Sequence, residues 1–284
     1  MSKGVKKINS GGAGMRVAIL GGGVIGGIFA EAFLKSNCVR SEDLLIVEKD
    51  AQRREGLNST LGCRVVEGLG DFLKEYGLLI LAVKPQNMPD LCRSLKPYLE
   101  DSQIVLTIMA GCTVKNVAAQ LGEHRCVLRA MPNLPAKIGL GMTVYIAGAG
   151  VSAEEKERVA VILSCTGVLL EVFEEHLLDA ATAVTGSGPG FVFYLMEHYL
   201  NATAELGFPE EDLTLLVSQT FRGVVELLIQ EQKTPRELRE MVATKGGTTE
   251  AGLRVFRDQG LGQILKDGIK AANDRSCELA EGVK

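Results

Sequence analysis

The 284-residue sequence contains no tryptophan, and aromatic residues make up only 5% of it. A surface that stacks bases or sugars on aromatic rings is therefore not expected. Histidine occurs only at His124, His176 and His198, far apart and without ligand spacing, so no metal site is expected. The seven cysteines are dispersed and include no C-x-x-C pair. Such an odd, scattered set fits reduced thiols buried in a cytoplasmic protein better than a disulfide framework. Neither sign of charge dominates: 31 Lys and Arg stand against 35 Asp and Glu, a net charge of -4. That balance argues against broad electrostatic binding to nucleic acid. No apolar run approaches the roughly 20 residues of a membrane span. Residues 1–14, MSKGVKKINSGGAG, are basic and Gly-rich but lack the apolar stretch of a signal peptide, and they read as a flexible tail.

The rest of the chain is long enough for two domains, each with its own core. Residues 15–175 alternate short β-like runs with helical stretches. Strands are expected at 16–20, 44–48, 63–66, 78–83, 104–108, 126–129, 142–146 and 168–173, with helices such as 24–35 and 153–165 between them. Runs such as LLILAV and IVLTI are apolar throughout, as in parallel strands covered on both faces. The alternation predicts a doubly wound α/β sheet of Rossmann type. From 176 to 284 the strand signals stop, and helices are expected at 189–206, 210–230, 235–242, 249–258 and 261–279. The Gly207-Phe208-Pro209 and Thr234-Pro235 breaks separate them. The helix at 210–230 is apolar over a wide arc, which suits burial on more than one side. The fold class is thus α/β, with an all-helical C-terminal domain read as a dimerisation domain. A helix buried at the centre of a monomeric bundle is the other reading.

The first strand runs into Gly21-Gly22-Gly23-Val24-Ile25-Gly26, a G-x-G-x-x-G turn that opens a helix. Gly21 permits the tight turn, Gly23 lets the backbone approach a pyrophosphate, and Gly26 lets the helix pack on the strand. The free amides at the helix start, from Val24 and Ile25 onward, face the phosphates. The second strand ends in Glu48, where a carboxylate accepts hydrogen bonds from the adenosine ribose and favours NAD. It would repel a 2′-phosphate by roughly 4 kcal/mol at ~4 Å and an effective dielectric of about 20. Lys49, Arg53 and Arg54 lie close enough to clamp the same phosphate. The choice between NADH and NADPH stays open, tilted toward NADH. Ala82, Val83 and Lys84, at the carboxyl end of the 78–83 strand, are expected along the dinucleotide, and so is Ala110 after the 104–108 strand.

Three further segments are too polar and too rich in Gly and Pro to be core: Met131-Pro132-Asn133-Leu134-Pro135, Gly186-Ser187-Gly188-Pro189 and Thr244-Lys245-Gly246-Gly247-Thr248-Thr249. Pro189 sits where a helix would begin, with Ser187 as a possible cap. The Gly-Gly pair leads into a helix capped by a threonine, whose unpaired amides suit a small carboxylate.

Together with the glycine loop and LAVKPQ at 81–86, the segments MPNLP, AVTGSGPGFVFYLME at 183–197 and VATKGGTTEAGL at 242–253 resemble the pyrroline-5-carboxylate reductase family. The resemblance runs from about Met15 to the last helix. It departs from the family pattern at Leu134, Gly190 and Thr244-Lys245, where Thr, Ala and often Ser-Pro are usual. It implies reduction of 1-pyrroline-5-carboxylate to L-proline by an NAD(P)H-dependent oxidoreductase, the last step of proline biosynthesis. The implied substrate contacts are Asn133, Ser187, Thr244, Lys245, Gly247, Thr248 and Thr249. The carboxylate would rest on the amides of Gly247, Thr248 and Thr249, with Thr249 beside the ring nitrogen. A threonine hydroxyl is too weak an acid to be the ultimate proton source, so its role would be orientation or relay from water. The resemblance also implies a homodimer with sites built from both chains, and larger rings of dimers in some members. A related cyclic-imine reductase and a non-catalytic nucleotide-binding regulator are the alternatives. Hydroxyacid dehydrogenases of similar architecture use a lysine in the first long helix between the domains, and residues 189–206 contain none.

Overall fold

The computed structural model describes residues 14–282, so all of the expected tail but Gly14 lies outside the described residues. Eight strands form one sheet: β1 Val17–Leu20, β2 Leu44–Val47, β3 Arg64–Val66, β4 Leu78–Leu81, β5 Ile104–Thr107, β6 Val127–Met131, β7 Gly141–Ala147 and β8 Gly167–Glu171. The helices between them are α1 Val24–Lys35, α2 Ala51–Leu61, α3 Met88–Leu95, α4 Val114–Gln120, α5 Ala153–Ser164 and α6 Glu175–Ala181. The strand order is β3-β2-β1-β4-β5-β6-β7-β8. The chain reverses its direction of travel at β1, which pairs with both β2 and β4. That junction is the switch point at which open α/β sheets bind ligands.

β1, β2, β4 and β5 are buried at every residue. Alternate side chains feed two cores. Val17, Ile19, Leu44 and Ile46 pack with Phe29 and Phe33 of α1 and Val159 and Leu163 of α5. Ala18, Leu20, Leu45 and Val47 pack with Met88, Cys92 and Leu95 of α3 and Val117 of α4. Cover on both faces is why these strands read as unbroken apolar runs; each buried Leu, Ile or Val contributes about 1.5–3 kcal/mol. β7 runs antiparallel to β6, because the 132–140 connection is too short for the crossover a parallel neighbour needs. α5 supplies such a crossover, and β8 is parallel to β7.

By internal contacts, one compact unit comprises the chain through Ser187 together with the segment from Ala272 onward, and the other is Gly188–Ala271. α6 belongs to the first unit because Leu178 and Ala181 bury against Val144 and Ile146 of β7. It continues through a π-helical turn, Thr182–Gly186. The second unit is helical: α7 Gly188–Glu205, α8 Glu210–Glu231, α9 Pro235–Val242, α10 Thr248–Asp258 and the start of α11 Leu261–Gly282. The end of α11 lies in the first unit, against the loop after β5. Gly111 there has φ +73°, and a Cβ on it would lie 2.9 Å from the Ala280 nitrogen. No helix among the described residues is long and apolar enough to cross a membrane.

The expectation that the cysteines are all thiols is corrected. Cys38, just beyond α1, and Cys165, just beyond α5, form a disulfide with Cα atoms 6.7 Å apart. Both helices contribute to the same core layer, which brings their carboxyl ends together. Cys277 is exposed, whereas Cys63, Cys92, Cys112 and Cys126 are buried thiols.

Candidate active site

The glycine loop has the geometry its spacing predicts. Gly21 has φ +115°, and a Cβ there would meet the Ala82 carbonyl oxygen at 2.6 Å and the Val83 nitrogen at 3.0 Å. The carboxyl end of β4 therefore lies directly against the loop. Gly26 touches the Gly21 carbonyl, where a Cβ would come within 2.1 Å. Gly23 differs from both: a Cβ on it would find no protein atom closer than 3.8 Å. That open space is a cradle which only a glycine leaves free for a ligand. Gly23 is the N-cap of α1 and gives no side-chain cap. Among the described residues the amides of Val24, Ile25 and Gly26 donate to no acceptor. Unpaired amides at a helix start, with backbone free to approach, fit the pyrophosphate of a nicotinamide dinucleotide.

Around this loop Glu48 is half-buried and Lys49 exposed. A Cβ on Gly22 would lie 3.2 Å from Glu48 Oε2, so the carboxylate borders the loop. Lys84 is exposed and stands before the 3-10 turn Pro85–Asn87, while Ala110 is half-buried in the loop after β5. The thiol beside that loop, Cys112, is fully buried, and burial pushes it up to about 11. It stays protonated at neutral pH and offers no nucleophile.

Of the loops expected to contact substrate, MPNLP and Ser187 belong to the first unit and the Thr244–Thr249 loop to the second. In the first unit, both ends of the Asn133 amide serve the backbone. Nδ2 donates to the Thr185 carbonyl at 3.0 Å, and Oδ1 accepts from the Met142 amide at 2.9 Å. Asn133 thus ties the MPNLP loop to β7 and to the π turn. Ser187 does not cap a helix in isolation: its amide donates to the Thr182 carbonyl at 2.8 Å, closing the π turn that leads into α7.

In the second unit α10 begins one residue earlier than the sequence suggests, and its N-cap is Gly247 rather than a threonine. The Gly247 amide donates to the Thr244 carbonyl at 3.0 Å, so it is not a free donor as expected. The amides of Thr248, Thr249 and Glu250 have no acceptor among the described residues. A Cβ on Gly247 would lie 2.6 Å from the Thr244 Oγ1, which places that hydroxyl at the helix start. Lys245 is exposed in the same loop and Thr249 is half-buried. The loop presents amides, a hydroxyl, an ammonium and the positive end of a helix dipole, a set suited to a carboxylate.

Two groups escaped the sequence reading. Glu250 Oε2 accepts the Gly246 amide at 2.7 Å and holds the Gly-Gly turn in shape. Its position three residues after the N-cap, the usual place for such an acid, was the available signal. Arg129 on β6, 1% exposed, pairs with Glu175 Oε2 at 2.6 Å and Asp179 Oδ1 at 2.7 Å. The second oxygen of Glu175 accepts the Val114 amide at 2.7 Å, at the start of α4. An arginine inside the apolar strand VLRAM, and acids four residues apart on α6, were the only hints of this network.

A glycine cradle at the switch point of a mostly parallel sheet, followed in the chain by a helical unit, fits a nicotinamide-dinucleotide oxidoreductase. Comparison with known proteins narrows the class. A family model for pyrroline-5-carboxylate reductase dimerisation matches residues 175–279, and one for NADP oxidoreductase, coenzyme F420-dependent, matches residues 16–111. The chain is 34% identical over 271 residues to pyrroline-5-carboxylate reductase of Pseudomonas aeruginosa, covering 94% of this chain and 97% of that one. It is 30% identical over 267 residues to pyrroline-5-carboxylate reductase 2 of Bacillus subtilis, covering 94% and 95%. The structure of the Plasmodium falciparum pyrroline carboxylate reductase with NADP bound has the same fold. It superimposes with a TM-score of 0.86 at 23% identity, covering 94% of this chain and 98% of that one. The chain belongs to the pyrroline-5-carboxylate reductase family.

Proposed function

We propose that the protein reduces 1-pyrroline-5-carboxylate to L-proline with NADH or NADPH, as a homodimer in the cytoplasm. The observation that carries this reading is the start of α10. There the amides of Thr248 and Thr249 stand free beside the Thr244 hydroxyl and Lys245, matched to the single carboxylate of the imine acid. Gly247 assists by leaving room for the Thr244 hydroxyl.

In the reaction one hydride and one proton add across the C=N bond. The dihydronicotinamide, when bound, supplies the hydride to the imine carbon. Gly21, Gly23 and Gly26 hold the dinucleotide backbone, and the amides from Val24 onward bind its phosphates. Ala82, Val83, Lys84 and Ala110 flank the strand ends that carry the rest of it. Thr249 orients the ring nitrogen and passes it a proton from water, since its hydroxyl is too weak an acid to be the source. A protonated iminium is already electrophilic, and positioning supplies most of the rate. This accounts for a site that uses neither His nor Cys. Asn133 acts at one remove, by fixing the loop and π turn that include Ser187.

α8 leaves Leu215, Val224, Val225 and Ile229 more than half exposed in the single chain. An apolar face of that kind needs a partner, and the dimerisation reading supplies a second copy.

The test is loss of absorbance at 340 nm with 1-pyrroline-5-carboxylate, run in parallel with NADH and NADPH. Rapid oxidation dependent on the imine is expected. No oxidation with either cofactor, alongside measurable cofactor binding, would overturn the reading.

A further inference from the structure

We infer that Glu48 makes this enzyme prefer NADH, and that the neighbouring Arg54 is held away from the role of a 2′-phosphate clamp. The inference rests on the reductase reading for the presence of a dinucleotide, and on β2 and α2 for the choice between the two cofactors.

Glu48 directly follows β2 beside the glycine loop, where the adenosine ribose of a dinucleotide lies at a switch point. Its carboxylate is fixed: Oε1 accepts the Asp50 amide at 2.9 Å, while Oε2 faces Gly22. One oxygen is thus oriented by the backbone and the other is directed toward the loop, as needed to accept from ribose hydroxyls. A phosphate at the 2′ position would be brought against that oxygen.

Arg54 does not offset this. Arg54 Nη1 donates to the Glu48 carbonyl at 3.0 Å and to the Lys49 carbonyl at 2.6 Å, and Nη2 pairs with Glu67 at 3.2 Å. Its guanidinium staples the β2–α2 turn and is 20% exposed. Arg53 is tethered through Nε to the Gly22 carbonyl, and its own amide goes to the Asp50 carboxylate, which caps α2. Asp50 adds a second negative charge to the turn. The fork of Arg54 would have to abandon an existing partner before it could grip a phosphate bidentately, whereas Arg53 is held through Nε alone.

The test is calorimetric titration of the full-length protein with NADH and NADPH, with no imine present. NADH is expected to bind at least ~10-fold more tightly, the bare charge repulsion being reduced by salt. Glu48→Ser should bring the two dissociation constants to within about threefold of each other, by weakening NADH and strengthening NADPH. Arg53→Ala should leave the preference for NADH in place. Titration of the unaltered protein with 5′-AMP and adenosine 2′,5′-bisphosphate gives the same comparison without any variant. Equal binding, tighter binding of NADPH or of the bisphosphate, or an unchanged ratio in Glu48→Ser would overturn the inference. Loss of NADPH binding alone in Arg53→Ala would show that Arg53 reads the phosphate instead. None of these outcomes touches the reductase reading, which stands or falls on turnover of the imine with whichever cofactor binds.

Discussion

Adding one methyl group at Gly23 or at Gly26 should damage the protein in two different ways, although the residues lie within the same loop. At Gly26 the new Cβ would stand 2.1 Å from the Gly21 carbonyl oxygen and 3.2 Å from both the Gly21 carbonyl carbon and Ile19 Cγ2. A relaxed carbon–oxygen contact needs roughly 3.3 Å. More than ~1 Å of movement is therefore demanded of backbone held by β1 and α1, and no flexible side chain can absorb it. Overpacking costs about 1–3 kcal/mol, and a backbone obstruction belongs at the upper end. For a protein of this size that lowers Tm by roughly 5–10 °C. At Gly23 the nearest atom is 3.8 Å away, and φ −57°, ψ −176° suits alanine. Only the loss of glycine as N-cap remains, less than about 1 kcal/mol. The methyl would nonetheless occupy the space where the backbone must approach the pyrophosphate. Weakening one or two charge-assisted hydrogen bonds lowers cofactor affinity by roughly 10- to 100-fold. Scanning calorimetry and calorimetric titration of both alanine variants separate the effects. A Gly23→Ala protein that binds cofactor normally, or that loses as much stability as Gly26→Ala, would refute the assignment of Gly23 to binding.

Arg129→Met leaves Glu175 and Asp179 without their cation and should cost about 3–5 kcal/mol in urea unfolding. The triple variant that also carries Glu175→Gln and Asp179→Asn should recover most of that loss, and failure to recover would mean that packing rather than charge governs the site. Thr249→Ala should lower kcat by roughly 10- to 30-fold, equivalent to about 1.5–2 kcal/mol of hydrogen bonding, with cofactor affinity unchanged; Thr249→Ser should restore it, and a kcat unaffected by the alanine removes Thr249 from the chemistry. Burial pushes the Cys92 thiol up to about 12 and the Cys112 and Cys126 thiols up to about 11. The unfolded chain releases these protons near pH 8.5–9, so the stabilisation is complete below that range and is lost as pH rises toward about 11–12. Each thiol should contribute roughly 1.4 kcal/mol of lost stability per pH unit across the window. Thermal unfolding followed from pH 8.5 to 11 should show a shallower fall for Cys112→Ala than for the parent, and identical slopes would contradict the burial argument.

The sequence by itself determined the elements and the positions of the glycine-rich loops. Strands such as LLIL and IVLT are apolar at every position because they are covered on both faces, and they are found within one or two residues of where they were expected. α1 and α9 have the expected bounds because glycine, proline and capping residues mark their ends within a single turn. The G-x-G-x-x-G loop and the Gly-Gly-Thr-Thr loop could be read for the same reason: their chemistry lies in the local backbone.

What only the tertiary structure decided involves partners far apart in the chain. Arg129 meets acids 46 and 50 residues away, and Cys38 meets Cys165 across 127 residues. Both ends of the Asn133 amide are taken by backbone groups of β7 and the π turn. The direction of β7 follows from a connection too short to cross over. Whether an amide such as that of Gly247 is free, or whether Arg54 can reach a phosphate, depends on which neighbour folding brings within 3 Å. Periodicity and capping act over one or two turns of chain, whereas those neighbours are set by how the layers pack.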